Sequence, residues 1–476
     1  MKRTKIICTI GPASDQKPVL KKMIKNGMNV ARLNFSHNTH AYHLRTIKAV
    51  RSAAHECGEP VAILQDLQGP RIRLGELPAE GIVLKNGMKI ILTAEARSGS
   101  KKIPVTYAAM PREVKPGERI LIADGLIELK VVSVSGRDIR CLVVNAGKIS
   151  SHKGINLPDS KVRASSLSEK DRGDLLFGVK NDVDFVALSF VRSAADVFEL
   201  REIIKKFEIK LKKKKLYPVK IIVKIERREA IENLDEILAA ADGVMVARGD
   251  LGIEMPAEDV PLLQKMIIDK CLPAAKPVIV ATQMLESMIS SPRPTRAEAS
   301  DVANAVIDHT DAVMLSGETA VGKFPAETVL TMAKIIEKIE ASAYDNLTVR
   351  EKAGQVTAQN EAMAKLVKLL SEEIDAKLAV IASLSGATAR LVCRFRPELP
   401  IFVACTDARV RRQLNLSWGV KPLVLPKCET IEEILGRGIQ LLKKKRLVRK
   451  GDKIIAAIAS PREENHQIKM VEAVTV

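Results

Sequence analysis

The sequence predicts an α/β protein: a closed (β/α)8 TIM barrel, a small β-barrel lid domain inserted into it, and an open α/β domain after it. Three observations predict this. Eight short β-branched runs, most turning polar at the far end, recur between residues 5 and 315, with amphipathic helical patterns between most of them. One gap, between the third and fourth runs, is much longer than a βα loop requires and carries strand patterning. A second strand–helix alternation follows residue 354.

Taken in order, the expected barrel strands are 5–10, 29–35, 61–67, 184–191, 220–226, 243–247, 277–282 and 311–315. Helical patterns at 19–26, 231–241 and 326–339 separate some of them. Eight such units are the number that closes a barrel. Within the gap, 81–93, 118–134 and 139–144 alternate or run apolar between Gly and Pro turns. Residues 70–164 are therefore read as the lid, and 1–69 with 165–345 as the barrel. An insertion after the third strand emerges at the barrel's C-terminal face, where active sites form. Residues 346–476 are read as the last domain, with strands at 376–383, 400–405, 421–425 and 453–459 and helices at 360–371, 388–396, 408–414 and 430–445.

Composition narrows the function classes. The 476 residues are 46% hydrophobic and 28% charged, ordinary for a soluble globular protein with a large core. No apolar stretch approaches a membrane span, and the apolar run before Gly11 is too short for a signal-peptide core. Seven cysteines without CxxC spacing read as small core residues in a reducing compartment, here the cytoplasm. The net charge of +19 fits polyanionic small substrates or nucleic acid. Aromatics at 3% leave few stacking platforms, and the basic runs 210–215 and 443–450 read as solvated faces, so specific nucleic-acid binding is disfavoured.

A barrel brings its strand ends together. Those ends carry Arg32, Asn34 and Ser36; Asp66, Arg71 and Arg73; Ser189 and Arg192; Lys224 and Glu226; Arg248 and Asp250; Thr282 and Gln283; Ser316 and Glu318. Lys224 and Glu226, two residues apart on one strand, face the same way. A lysine in an apolar run needs a charge to meet, and for this strand alone a structural ion pair is the simpler reading. The whole set reads differently. Glu226 and Asp250, with substrate oxygens and waters, suit Mg²⁺ or Mn²⁺. Arg32, Arg73 and Lys224 suit phosphoryl oxygens. Gly249 and Asp250 offer backbone N–H groups for a carboxylate, and Thr282 can position a proton or a water. The constellation reads as phosphoryl transfer involving a small carboxylate.

Long stretches carry a family resemblance: TKIICTIGPAS (4–14), NVARLNFSH (29–37), VKIE (223–226), VARGDLGIE (246–254), PTRAE (294–298) and MLSGETA (314–320). On these the chain resembles the pyruvate kinases. The resemblance implies transfer of a phosphoryl group from phosphoenolpyruvate to ADP, giving pyruvate and ATP, by a cytoplasmic, homotetrameric, allosteric glycolytic enzyme. By the same resemblance Arg32 contacts substrate and Lys224 steadies charge on the phosphoryl group and the enolate. Glu226 and Asp250 hold the divalent metal, and Gly249, Asp250 and Thr282 bind the carboxylate end. Asn34, Phe35, Ser36, His37, Arg73 and, from the lid, Lys153 line the nucleotide side. Ser316 and Glu318 are the candidates for relaying a proton to the enolate carbon.

The chain departs from the family pattern at one place that matters. Many members need K⁺, at a site matching Asn34, Ser36, Asp66 and position 67. The usual text there, Asp-Thr-Lys-Gly-Pro-Glu-Ile-Arg-Thr, is DLQGPRIRL at 66–74. K⁺-independent relatives carry Leu, Gln and Lys at the first, second and fifth positions after that aspartate. Leu67 and Arg71 therefore imply that Arg71 supplies the charge and K⁺ is not required. The alternative is an Arg71 that faces solvent beside an intact K⁺ site. In the last domain Ser383, Ser385, Gly386, Ala387 and Thr388 lie between a strand and a helix, where relatives bind a sugar-phosphate or nucleotide effector; a phosphate cradle and plain capping are equally open there. The 459–465 segment lacks the glycine-rich loop of many relatives, which puts fructose bisphosphate in doubt. A P-loop-like run at 317–323 has Phe324 in place of the metal-binding hydroxyl, and His37, His40 and His43 drift around a helix without a fourth ligand. The rival classes are a barrel aldolase with Lys224 as Schiff base and a basic RNA-binding protein.

Overall fold

The structure, a computed structural model, describes residues 2–95, 102–163, 165–212, 217–346, 358–426, 428–459 and 468–476. Eight parallel strands close a barrel: Lys5–Thr9, Met28–Asn34, Ala62–Asp66, Phe185–Leu188, Lys220–Ile225, Gly243–Ala247, Val278–Ala281 and Ala312–Leu315. All eight expected strands are present. Most end short of their β-branched runs, because Ile10, Phe35, Leu67 and Val191 pack, buried, in the rim beyond the paired residues. The strands read as near-continuous apolar runs because both faces are covered. Ile7, Val30, Leu64, Phe185, Ile222, Met245, Ile279 and Met314 fill the interior, with alanines between them, and Leu416 of the last domain joins that cluster. On the outside, Leu20, Met23 and Ile24 of the helix Lys17–Lys25 are buried as their spacing predicts.

The N-terminal floor of the barrel shows a repeat. At the start of every second strand a side-chain carboxylate or amide oxygen accepts the backbone N–H of the preceding strand. Asn29 Oδ1 takes Ile6 N–H (3.0 Å), Asp184 Oδ2 takes Ile63 N–H (2.8 Å), Asp242 Oδ2 takes Ile221 N–H (2.9 Å) and Asp311 Oδ2 takes Val278 N–H (3.1 Å). These clasps satisfy strand-start donors that would otherwise be buried without a partner. Each is backed by a cation: Lys2 on Asn29, Arg51 and Arg412 on Asp184, Arg201 on Asp242 and Arg396 on Asp311. Arg396 and Arg412 come from the last domain, so that domain grips two clasps directly. The adjoining Arg409 reaches Asp182 (2.7 Å) and Glu208 (3.2 Å), and Asn415 donates to the Asn29 carbonyl (3.0 Å).

Between the third and fourth barrel strands the chain forms a seven-stranded sheet running from Ile72–Arg73 through Gly154–Asn156 and on to Ile103–Pro104. An isolated antiparallel bridge, Leu74 to Val105, joins its first and last strands, so the sheet closes into a small barrel around its own core. The last domain is a five-stranded sheet: Val420–Val424, Ile401–Cys405, Ala379–Ala382, Lys453–Ala459 and Ile468–Thr475. The sequence reading stops at four. The fifth strand pairs antiparallel at the edge and is half exposed, so it lacks the apolar run that betrays a central strand. All seven cysteines are free and five are buried, as small core residues should be. Among the described residues no helix is long and apolar enough to cross a membrane.

Asp311 carries several bonds at once: it accepts from Val278 and Trp418 N–H and pairs with Arg396, which is only 1% exposed. Asp311→Ala strands all three donors and should cost about 3–5 kcal/mol, read as a fall in the urea midpoint of barrel unfolding. Asp311→Asn, which keeps an acceptor, should cost less; equal losses would mean the clasp is not the cause.

Candidate active site

At the barrel's C-terminal mouth the strand-end charges form one connected group. Strand register puts Asn34 opposite Asp66 and Asp66 opposite Ala187, so Asp66 stands between the second and fourth strands. Arg32 grips it, with Nε and Nη2 each 2.7 Å from Asp66 Oδ2, while Arg32 Nη1 donates to Thr9 Oγ1 (2.8 Å). Lys224 Nζ lies 2.7 Å from Glu226 Oε1 and 3.6 Å from Asp66 Oδ1, and donates to Ser189 Oγ (2.9 Å). Ser189 in turn donates to the Leu67 carbonyl (2.8 Å). Glu226 Oε2 accepts the Phe190 N–H (2.7 Å), which Phe190 presents from a left-handed backbone (φ 56°).

Burial would push the Lys224 ammonium down, but Asp66, Glu226 and Asp250 outweigh it and hold its pKa above the usual lysine value. Burial would likewise raise Asp66, yet Lys224, Arg32 and, more weakly, Arg71 hold it below the usual carboxylate range. Glu226 behaves otherwise. Burial, with the Asp250 charge adding to it, pushes it up to about 7 despite Lys224. Its Oε1 meets the Lys224 ammonium, while Asp66 Oδ1 is buried without a hydrogen bond among the described residues. A carboxylate oxygen so placed fits a further cation. Glu226 and Asp250, the charge of one acting on the other, suit an ion that completes its shell with substrate and water.

Beside this group, the short helix Arg248–Glu254 starts directly at the end of the sixth strand. Gly249 N–H donates to Thr282 Oγ1 (2.9 Å), and that hydroxyl donates to the Ala281 carbonyl (2.6 Å). A β-branched residue at φ 72° is strained by about 1–3 kcal/mol, and Thr282 is held there from outside. Arg248 makes two 2.7 Å bonds to the Asp301 carboxylate and a third, also 2.7 Å, to the Thr282 carbonyl. The sequence reading placed Arg248 at the mouth but missed Asp301, 53 residues away on the helix Arg296–Ile307, which fixes it. Thr9, the partner of Arg32, was also missed; it is the fifth and last residue of the first strand, in a run read for its apolar side chains.

Several expected site residues take more specific places. The Phe35 ring is buried, stacked on His43 at 4.0 Å, so any nucleotide contact of this residue falls to its backbone. His37 is exposed, and its carbonyl bonds His43 Nε2. Asn34 Oδ1 accepts the Ser36 N–H (3.0 Å). In the lid, Arg73 pairs in register with Gly154, which follows Lys153, and Arg73 donates to the His152 carbonyl (2.9 Å). Glu318 is buried, 2% exposed, and its two oxygens each accept a backbone N–H group, that of Ser316 (2.7 Å) and that of Leu285 (3.2 Å). Arg71 is exposed, but its charge reaches both Asp66 and Arg73.

Away from the mouth, the Ser383 and Ser385 hydroxyls accept the Gly386 (3.0 Å) and Ala387 (3.3 Å) N–H groups, and Thr388 is buried, an arrangement of capping within the loop itself. Segment 460–467, where the glycine-rich loop was found wanting, lies outside the described residues. A Cβ on Gly322 would come within 2.3 Å of the Glu318 carbonyl oxygen, so the P-loop-like run is tight packing. His309 takes φ 64°, in keeping with a structural turn position.

Comparison with known proteins shows the family. A family model described as pyruvate kinase, barrel domain, matches residues 1–329, and one described as pyruvate kinase, alpha/beta domain, matches 361–472. The pyruvate kinase of Geobacillus stearothermophilus is 44% identical over 465 residues, 97% of this chain and 78% of the relative. That of Clostridium acetobutylicum is 39% identical over the full length of both chains. The crystal structure of a pyruvate kinase from Cryptosporidium parvum superposes with a TM-score of 0.91 at 38% identity, covering 100% of this chain and 96% of that one. With a barrel and a C-terminal domain both matched, and relatives alike from end to end, the chain belongs to the pyruvate kinase family.

Proposed function

We propose that this enzyme transfers the phosphoryl group of phosphoenolpyruvate to ADP at the barrel mouth, with Mg²⁺ or Mn²⁺ and without a requirement for K⁺. The observation that carries the transfer is the buried Lys224, held charged by Asp66 and Glu226 at the meeting point of the strand ends. In phosphoryl transfer the protein chiefly positions the reactants and stabilises spreading negative charge. Lys224 and Arg32 present fixed cations to the phosphoryl oxygens; Asp66 and Ser189 keep both side chains aimed, so no reorganisation is needed as charge develops. Glu226 and Asp250 would hold the divalent ion, which when bound neutralises phosphoryl charge. The helix start at Gly249 and Asp250, with Thr282, receives the carboxylate end; a substrate carboxylate taking the Gly249 N–H would displace the Thr282 hydroxyl from it. Thr282 and Ser316 are the hydroxyls at hand for delivering a proton to the enolate carbon, with Glu318 holding Ser316. Asn34, Ser36 and His37 from the rim, and Arg73 and Lys153 from the 70–164 lid, face the nucleotide side.

Independence from K⁺ draws support from the oxygens that remain. Leu67 is buried and offers only its carbonyl, already bonded by Ser189, and Asn34 Oδ1 already accepts an N–H. The Arg71 charge acts on Asp66, where a second cation would be repelled.

Three measurements follow. Lys224→Met should fold normally and lose about 10²–10³-fold or more in kcat; near-normal turnover would sink its role. Arg248→Lys forfeits the paired bonds to Asp301 and loosens Thr282, so a loss on the order of 10²-fold is expected, mostly in kcat, with the unfolding midpoint little changed. Turnover in Tris buffer should match that with K⁺ added, and the Leu67→Thr/Arg71→Glu variant should acquire K⁺ activation. Strong activation of the natural enzyme by K⁺ refutes the reading.

A further inference from the structure

The helix Glu169–Lys180 starts just past the 70–164 lid, and side chains of its first two turns hold both parts of the nucleotide side. Lys170 Nζ donates to the Phe35 carbonyl (2.6 Å) and to Asp174 Oδ2 (2.6 Å). Asp174 is 5% exposed, and its Oδ1 lies 2.6 Å from Nε2 of His40, whose ring stacks on Phe177 of the same helix. Between them, Asp171 Oδ1 accepts the Gly69 N–H (3.2 Å) at the entrance to the lid. The rim turn 34–37 is thus pinned from several sides. Phe35 N–H donates to the Asp66 carbonyl (3.0 Å), the Phe35 carbonyl accepts Lys170, and the His37 carbonyl accepts His43 Nε2 (3.0 Å). The helix itself is held to the third barrel strand. Gln65 Nε2 donates to the Asp174 carbonyl (2.6 Å), and a Cβ on Gly178 would come within 1.9 Å of Gln65 Oε1. A half-exposed lysine ordinarily keeps its ammonium in water. Lys170 is instead fixed between a buried carboxylate and one rim carbonyl by charge-assisted bonds. An i,i+4 pair at the surface contributes little to stability, so the consequence of the bond lies in where it holds Phe35.

We infer that Lys170, steadied by Asp174 and through it by His40, is a positioning residue for the nucleotide: it fixes the Phe35 carbonyl, and with it the Ser36 and His37 that follow. This role rests on the reading of that rim as the nucleotide side. Lys170 touches no reacting atom and acts through the rim alone. Because Asp171 of the same turn holds Gly69, the rim and the root of the lid, which carries Arg73 and Lys153, hang from one support. Lys224, Asp250 and Thr282 stand on other strands, so loosening Lys170 falls on one substrate and spares the other.

Steady-state kinetics of the full-length enzyme, with ADP and phosphoenolpyruvate varied in turn, test this. Lys170→Met should raise KM for ADP about tenfold, keep KM for phosphoenolpyruvate within about twofold and leave the unfolding midpoint in place. Asp174→Asn should move KM for ADP the same way by a smaller factor; neither substitution removes the Asp174 carbonyl that holds Gln65. His37→Ala, on the rim itself, should also raise KM for ADP. A rise with His37→Ala but none with Lys170→Met overturns the role of Lys170 alone. No rise with either overturns the nucleotide reading of the rim, and the role of Lys170 with it. Equal rises for both substrates in Lys170→Met also overturn that role, since they mark a general loosening of the mouth.

Discussion

The buried ammonium of Lys224 is the constraint on which the catalytic end of the molecule depends. A charge taken out of water survives only if others meet it at short range. Here the strand ends bring Asp66 and Glu226 to it, and Asp66 in turn holds Arg32. Removing any member leaves another unpaired, so the group is positioned as a unit. Yet it is not closed. Glu226 remains raised to about 7 with Lys224 beside it, and Asp66 Oδ1 is buried with no hydrogen bond among the described residues, the Lys224 ammonium standing 3.6 Å away. An incomplete charge set, rigidly held, is the arrangement expected where a metal and an anionic substrate complete the balance.

The opposite end of the barrel solves the converse problem with the same chemistry. Strand starts leave backbone donors to be satisfied, and Asn29, Asp184, Asp242 and Asp311 satisfy one apiece on alternate strands. Their clasps draw in cations, two of which belong to the last domain, and Leu416 joins the interior cluster there. The C-terminal domain thus meets the register of the barrel strands as well as its surface. The strand that begins after Asp184 ends at Leu188, directly before the Ser189 that holds Lys224. Floor and mouth are joined by one short rigid element.

Much of this was legible in the sequence, and the gaps have physical reasons. Strands covered on both faces announce themselves as apolar runs, so all eight were readable, and so was the unhelical gap that became the lid. The edge strand Ile468–Thr475 was missed because half-exposed strands lose that signal. Lys224, Glu226, Arg32 and Asp250 stand out in the sequence because charge at a barrel-strand end is conspicuous. Asp301 and Thr9 do not, since supporting residues lie inside helices or apolar runs and only folding reveals whom they touch. Glu318 looked chemical for its carboxylate, and the structure spends both oxygens on backbone N–H groups. The floor clasps had a signal that went unused: an Asn or Asp at the start of alternate strands, each time where the next strand must be pinned to the one before.

The exchange at positions 67 and 71 follows from the same charge logic. A monovalent cation needs several oxygens at one place. A buried leucine supplies no side-chain oxygen, and its carbonyl is already bound to the serine that orients Lys224. An arginine five residues beyond Asp66 is tethered, so its charge needs no ligand set and loses no free energy to dilution. Being exposed, it also keeps its guanidinium hydrated, avoiding the desolvation that a buried replacement would suffer. The cost is range: screening by water weakens its pull on Asp66, where it ranks behind Lys224 and Arg32. Such a charge can bias the mouth toward anions without being part of its rigid core.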